Sequence, residues 1–362
     1  MTTAQPSTPD LWDDGDGVGL GEVGAAGGLA AAASAAGSPS DSILHGYVWS
    51  RAGGVREVDD LAAIEAALRD PAARVWVDCE NPSAAVLERL GRAFRLHPLT
   101  IEDIAERNQR AKVEYFEHTM HLVMFALTYN HELVPAELDI VVGDRFLLTF
   151  HPPEWRPLES RDLSRLGVGH FMARGIDLLL YAVVDPVVDG YFPVVDRLSD
   201  EIDQLEDDAV SSPSKVVLER LFRIRRELLA VRHMVTPERE VFNQLTNREN
   251  ELIRRESLIY FRDVYDHLIR VTDELDTHRE LLSGALEAYL STVNNGLSDI
   301  MKKLTAVTAV LAGIGAVAGI FGMSEAGAAL NFVEAPGFWF ITGFVLFVGL
   351  IFLWYFRKID WI

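Results

Sequence analysis

Residues 304–324 hold no charged side chain, and neither do residues 335–356. Runs of 21 and 22 residues each meet the roughly 20-residue length that an α-helix needs to cross a hydrocarbon core. One such run alone is compatible with the core helix of a soluble protein. Two in tandem, each flanked by charges, point to a membrane hairpin. Lys302 and Lys303 precede the first run and Arg357 and Lys358 follow the second, while the connection at residues 325–334 has no basic residue. The positive-inside rule then puts both ends of the hairpin in the cytoplasm and the short loop outside. Trp339, Trp354 and Trp361 lie near the ends of the runs, where amphipathic rings settle at headgroup level. The expected location is the plasma (inner) membrane, crossed twice, with both termini cytoplasmic and residues 357–362 as the cytosolic end.

The rest of the chain is acidic. Its 362 residues carry 54 Asp and Glu against 33 Lys and Arg, a formal net charge of −21. All of that excess precedes residue 301, where 51 acids face 29 bases. Phosphate binding draws on clustered Lys and Arg, so a nucleic-acid partner is excluded. The lone cysteine, Cys79, rules out a disulfide framework and a multi-thiolate metal site. A reducing cytosol fits that usage. Residues 1–42 are mostly Gly, Ala, Ser, Pro and Asp, a composition that buries too little apolar surface to fold and predicts a disordered tail. The Ala-rich run at residues 30–36 is not read as a signal peptide, because the first basic residue is Arg51.

From residue 43 to about 175, β-branched and aromatic runs alternate with helical stretches. Residues 44–50, 73–77, 121–129 and 137–151 read as strands, the last with a turn at Gly143-Asp144. Residues 60–68 and 83–94 read as helices with Asp59 and Ser83 as N-caps. One α/β domain around a single sheet follows. Residues 176–303 read as helical. Residues 196–210 form an acidic amphipathic helix, and residues 214–235 a second one that Pro237 brings to an end. No proline occurs between residues 254 and 304, and Leu268, Leu275, Leu282 and Tyr289 recur every seven residues, with Leu286, Val293 and Ile300 on the adjoining stripe. That spacing predicts a long helix packed along its length against another, running straight into the first span.

A helical hairpin cannot enclose a pore, so transport requires several copies around an axis. The first span carries Gly313, Gly315, Gly319 and Gly322, and the Gly315/Gly319 pair permits close helix approach. Thr305 and Thr308 are its only hydroxyls before Ser324. The second span is bulky and aromatic, with Phe338, Trp339, Phe340, Phe344, Phe347, Phe352 and Trp354. Small residues toward an axis and bulky ones toward lipid suit a multi-helix pore; simple dimerisation through the glycines fits the first span equally. In a ring of copies, Glu325 and Glu334 would set carboxylates at the external mouth and concentrate cations there, although loop solubility also accounts for them.

Several stretches resemble the CorA family of divalent metal-ion transporters. They are His97-Pro98-Leu99-Thr100-Ile101-Glu102-Asp103, Gln109-Arg110-Ala111-Lys112-Val113-Glu114, Glu137-Leu138-Asp139-Ile140 and Tyr260-Phe261-Arg262-Asp263-Val264-Tyr265-Asp266-His267. The paired C-terminal spans match as well, so the resemblance covers residues 43–362. It implies an α+β fold class: a cytosolic α/β/α sandwich, a long helix continuing into a two-span membrane hairpin, and a funnel-shaped homopentamer with the first span lining the pore. The family's Gly-Met-Asn at the outer end of that span stands here as Gly322-Met323-Ser324. In the family the asparagines ring a hydrated magnesium ion. Serine keeps a hydroxyl but is shorter and lacks the amide, and Mg²⁺ gives up its water reluctantly. A wider, less discriminating ring is expected, with altered selectivity or reduced flux.

By the same resemblance, Met301 and Leu304 match an apolar gate, Ser298 stands where an asparagine is common, and Gly315 where a threonine is common. Met301 and Leu304 also fall on the heptad stripe, so helix packing alone accounts for them. Asp103 and Glu287 match a pair that bridges neighbouring subunits through a regulatory Mg²⁺, and Glu102 and Asp263 match a second site nearby. High cytosolic Mg²⁺ would hold the ring closed; its loss would let acidic subunits repel and separate Met301 and Leu304. The function implied is Mg²⁺ uptake with Mg²⁺ also as regulator. Transport of zinc, cobalt or nickel, as in the ZntB-type branch, and a non-conducting membrane sensor or scaffold stand as alternatives. No His or Cys lies in the membrane region, which favours an ion that prefers oxygen. No phosphate loop, nucleophile elbow or His-Glu-x-x-His is present, so an enzyme is not expected. The histidines of the α/β domain, His97, His118, His121 and His151, read as satisfied or exposed side chains, and Cys79 as a small buried apolar residue.

Overall fold

The computed structural model describes residues 42–130, 132–247, 250–323 and 336–358. The expected disordered tail falls almost wholly outside them. In chain order the strands are β1 (Ile43–Ser50), β2 (Gly54–Val58), β3 (Arg74–Glu80), β4 (Lys112–Tyr115), β5 (Thr119–Asn130), β6 (Glu132–Gly143) and β7 (Phe146–His151). They form one mixed sheet ordered β2-β1-β3-β7-β6-β5-β4, parallel only between β3 and β7 and antiparallel elsewhere.

Successive side chains of a strand alternate between faces, and the two faces bury separate cores. Val75, Val77 and Cys79 of β3 pack under three helices, α1 (Leu61–Ala67), α2 (Ala84–Phe94) and α3 (Pro98–Glu106), through Ile64, Leu87, Leu90, Phe94 and Ile104. Trp76 of β3 and Met120, Leu122 and Met124 of β5 belong to the opposite core. Two short helices, α4 (Arg161–Leu166) and α5 (Val168–Arg174), lead to that side. Covering it are α6 (Ile176–Asp189), α7 (Tyr191–Ser211), α8 (Lys215–Asn247) and the first part of α9 (Leu258–Met323). The result is an α/β/α sandwich from which α9 extends, followed by α10 (Pro336–Lys358).

Local chemistry explains where elements begin. Ser83 accepts the Val86 N–H at the start of α2, as expected, whereas α1 is capped by Asp60, accepting from Ala62, rather than by Asp59. The strands β2 and β4 and the helix α3 span only five, four and nine residues, too short for a clear periodic signal. Cys79 sits inside β3, fully buried, and burial pushes its thiol up to about 12.

Pro237 does not end its helix. α8 runs on to Asn247 with Pro237 inside it, despite the roughly 3 kcal/mol an interior proline costs. Val231 and Val235 before it, and Val241, Phe242 and Leu245 after it, are buried in one core. Tertiary packing on both sides overrides the local break. The segment Ile176–Ser211 is apolar and long enough to cross a membrane, but 61% of its most apolar window is buried, against 6% for the corresponding window of α9. The first is therefore core and the second lacks cover.

Candidate functional site

α9 is a single helix of 66 residues, about 100 Å at 1.5 Å per residue. Its sequence repeat continues throughout, but its surroundings change. Phe261, Val264, Leu268, Val271, Leu275, Leu282 and Ala285 are buried against the body. Beyond them Leu290, Leu297, Ile300, Met301, Leu304, Val307 and Leu311 are exposed. Ser298 is exposed on the same stretch. Thr305 donates to the Met301 carbonyl at 2.7 Å and Thr308 to the Leu304 carbonyl at 2.8 Å. Each hydroxyl thus keeps its lone pairs for an outside donor. A Cβ added at Gly313, Gly315 or Gly319 would meet nothing within 4 Å among the described residues, and Gly315 and Gly319, four positions apart, leave one face of the helix smooth. Gly322 and Met323 are the last helical residues of α9; Ser324, Glu325 and Glu334 lie outside the described residues.

α10 presents the bulky surface its sequence predicts. Phe340, Phe344, Phe347, Phe352 and Trp354 are exposed. Near its end the Lys358 ammonium lies 5.3 Å from the centre of the Trp354 ring, a cation–π arrangement suited to a headgroup boundary.

The acidic residues singled out from the sequence fall in two places. Glu102 and Asp103 sit on the last turns of α3, while Asp263 and Glu287 lie on α9 and, like Glu102, are exposed. Among the described residues no hydrogen bond or ion pair joins Asp103 with Glu287, or Glu102 with Asp263. Asp263 instead contributes to the field around a group on α6. Asp185, Asp189 and His267 bring donor atoms within 4.8 Å of one another, with His267 Nδ1 3.1 Å from Asp189 Oδ1. Burial, then the repulsion of Asp189, pushes the Asp185 carboxyl up to about 6, against the attraction of His267 and a Tyr181 hydrogen bond. The charge of Asp263 raises it further.

Asp103 is tied to β4. Lys112 Nζ lies 2.6 Å from Asp103 Oδ2 and 3.0 Å from Glu114 Oε2. Glu114 pairs across the strands with His121, and Asp103, Glu114 and His121 form a second group whose donor atoms lie within 4.8 Å of one another. His121 is fully buried, with Nε2 2.9 Å from Asp139 Oδ1. Nearby, burial and then the charge of Asp139 push Glu137 up to about 8, while the Gln109 N–H donates to it at 3.3 Å. His151, by contrast, is satisfied by Asp78 and the Pro152 carbonyl.

Sequence reasoning missed Asp185, Asp189 and His267 as a group, and Glu114 with His121. The i,i+4 spacing of Asp185 and Asp189 was visible, but their meeting with His267 depends on how α6 packs against α9. His121 interrupts an apolar strand, and only the partners on β4 and β6 show which face it joins.

A family model described as CorA-like Mg2+ transporter protein matches residues 72–358. The cobalt/magnesium transport protein CorA of Thermotoga maritima is 32% identical over 305 residues, covering 81% of this chain and 85% of that relative. A putative metal ion transporter of Bacillus subtilis, YfjQ, is 27% identical over 283 residues, covering 76% of this chain and 84% of its own length. In solved structures, the fold is shared with the complete CorA magnesium transporter of Methanocaldococcus jannaschii, at a TM-score of 0.74 and 23% identity over 88% of this chain and 99% of that one.

Proposed function

The chain belongs to the CorA-like Mg2+ transporter family, and from that premise we propose that it admits Mg²⁺ to the cytosol across the plasma (inner) membrane. It is a divalent-cation transporter and not an enzyme. The observation that carries the reading is the change of environment along α9: a stripe covered by the body up to Ala285 continues through Leu297, Met301, Leu304 and Leu311 with no cover among the described residues. A hairpin of two helices encloses no path, so the uncovered stripe and the bare glycines at Gly313, Gly315 and Gly319 are met by further copies. Five copies, the number the family resemblance implies, place α9 around the axis and the aromatic α10 against lipid.

In that ring Met301 and Leu304 form an apolar constriction that closes by dewetting. Ser298, Thr305 and Thr308 offer oxygen to a hydrated ion, and Ser324 stands at the outer entrance between Gly322-Met323 and the carboxylates Glu325 and Glu334. Both termini are cytoplasmic. Cytosolic Mg²⁺ bridges neighbouring copies at Asp103 with Glu287 and at Glu102 with Asp263, and holds the path shut. The domain order that serves this runs from the N-terminal tail at 1–42 through the α/β domain at 43–175 and the helical region at 176–303. The spans at 304–324 and 335–356 follow, joined by the external loop at 325–334.

The test is Mg²⁺ uptake into sealed proteoliposomes loaded with a Mg²⁺-sensitive dye. The native protein is expected to fill the vesicles, and Ser324→Asn to sharpen discrimination against Co²⁺ and Ni²⁺. Absence of Mg²⁺ uptake by both proteins, with each correctly inserted, would contradict the proposal.

A further inference from the structure

We propose that each subunit holds one transition-metal ion at the edge of its sheet, bound by His121, Asp103 and Glu114 within a single chain. Two carboxylates alone would be an ordinary acidic surface. What distinguishes this place is the imidazole: His121 has no exposed surface, and its Nδ1 has no hydrogen-bond partner. That atom lies 4.0 Å from Glu114 Oε2, and His121, Glu114 and Asp103 each bring one donor atom within 4.8 Å of the others.

The other ring nitrogen explains why Nδ1 is free to coordinate. Nε2 lies 2.9 Å from Asp139 Oδ1. A carboxylate only accepts, so Nε2 carries the proton and Nδ1 presents its lone pair. Carboxylate, imidazole and metal in series is the arrangement that fixes ring orientation and raises ligand basicity. Backbone register builds it. Glu114 on β4 stands directly opposite His121 on β5, and Asp139 on β6 is opposite Val123, on the same face of the sheet two residues along. Asp103 closes the group from α3 above that face.

The donor set selects the ion. One imidazole nitrogen with two carboxylates suits Co²⁺, Ni²⁺ or Zn²⁺, with water completing the sphere, whereas Mg²⁺ prefers oxygen throughout. The Lys112 ammonium, 2.6 Å from Asp103 and 3.0 Å from Glu114, already neutralises the carboxylates as a tethered cation, and the incoming metal displaces it. Lys112 is thus a built-in competitor that sets the affinity. The site does not rest on the transport reading. It shares Asp103 with the regulatory pair proposed above, so Glu114, His121, Asp139 and Lys112 provide the separate handles.

The test is a Co²⁺ titration, in detergent, of the full-length protein carrying Glu287→Gln, which removes the bridge that would hold Asp103, with Mg²⁺ in millimolar excess to fill the remaining oxygen-only sites. Binding is read by calorimetry and by the visible d–d bands of Co²⁺. One Co²⁺ per subunit is expected. Glu114→Gln and His121→Phe should each weaken binding roughly 10–100-fold, and Lys112→Met should tighten it. Asp139→Asn is the sharpest probe, because an amide that donates to Nε2 moves the ring proton onto Nδ1 and should lower affinity while leaving both carboxylates in place. His121→Phe alters a buried position, so the half-exposed Glu114 decides the matter if that variant fails to fold. Unchanged Co²⁺ affinity in Glu114→Gln and Asp139→Asn, or binding fully abolished by the Mg²⁺ excess, would overturn the proposal.

Discussion

The two ends of α9 obey one sequence rule and live in two environments. Near the body, Phe261, Leu268 and Leu275 are covered by neighbouring helices of the same chain; farther along, Leu297, Met301, Leu304 and Leu311 carry the same apolar stripe without cover. Periodicity therefore states that a helix face will be buried and says nothing about whose surface buries it. Length bears on that here, since α9 outlasts every helix of the sandwich and ends in a stretch that no described residue of the chain covers.

The contrast predicts which changes act on the fold of one chain and which on the assembly. The largest effect is expected at Phe261→Ala, about 3–5 kcal/mol on unfolding of the detergent-solubilised protein. Leu304→Ala should move the same transition by less than about 0.5 kcal/mol yet raise Mg²⁺ leak when cytosolic Mg²⁺ is high. A loss of stability at Leu304 like that at Phe261 would erase the distinction.

A smaller effect is expected where the body clasps the start of α9. Asp177 of α6 accepts from Arg254 Nη2 at 2.7 Å, from Arg254 Nε at 2.8 Å and from Ser257 at 2.7 Å. Burial pushes its carboxyl up, but these bonds together hold it below the usual range. A lowered folded pKa contributes stability above the ordinary carboxylate range and loses it as pH falls through the folded value. Arg254→Ala should cost about 2 kcal/mol at neutral pH, and its deficit should shrink in acid; urea titrations at the two pH values check both.

Glu238 should act in the opposite direction with pH. It is buried beside Tyr191, whose hydroxyl lies 2.6 Å from Oε2, and it accepts the Phe125 N–H at 2.7 Å. Burial pushes it up to about 8, against these hydrogen bonds. A protonated Glu238 donates to Tyr191, which in turn donates to the Phe125 carbonyl, leaving every group satisfied. A raised folded pKa gives stability that is complete below about 4.5 and lost as pH rises through about 8. Glu238→Gln, which keeps a donor in place, should therefore gain stability on the native protein as pH rises from 5 to 9. Thermal melts across that range provide the measurement. The smallest effect on the single chain belongs to Gly319→Ile. A Cβ there meets nothing within 4 Å among the described residues, so the substitution should leave the melt unchanged while shifting detergent particles to lower mass.

Much of this architecture was legible in the residues because it is carried by long periodic signals. The proline-free heptads fixed α9, and two uncharged runs with flanking bases fixed the hairpin's place at the end of the chain. What escaped depended on contacts between distant segments. Pro237 broke the local pattern of α8, but the core on either side of it did not yield. Asp60 outcompeted Asp59 as a cap by one position that composition cannot resolve. The short edge strand β4 alternates over only four residues, too few to stand out, and without it neither Glu114 nor the open nitrogen of His121 has a partner. Asp263 was visible as an acid, whereas its setting beside Asp185, Asp189 and His267 arises from the docking of α6 on α9.

Cysteine cross-linking in the membrane tests the central claim most directly. The lone native thiol, Cys79, is buried with its pKa pushed up to about 12, so it leaves new cysteines as the reactive ones. Met301→Cys and Leu304→Cys should form disulfides between copies under mild oxidant, increasingly so when Mg²⁺ is present to hold the ring closed. Phe347→Cys on α10 should stay monomeric. Linkage through Phe347 with none at Met301 or Leu304 would place α10 at the axis and contradict the account.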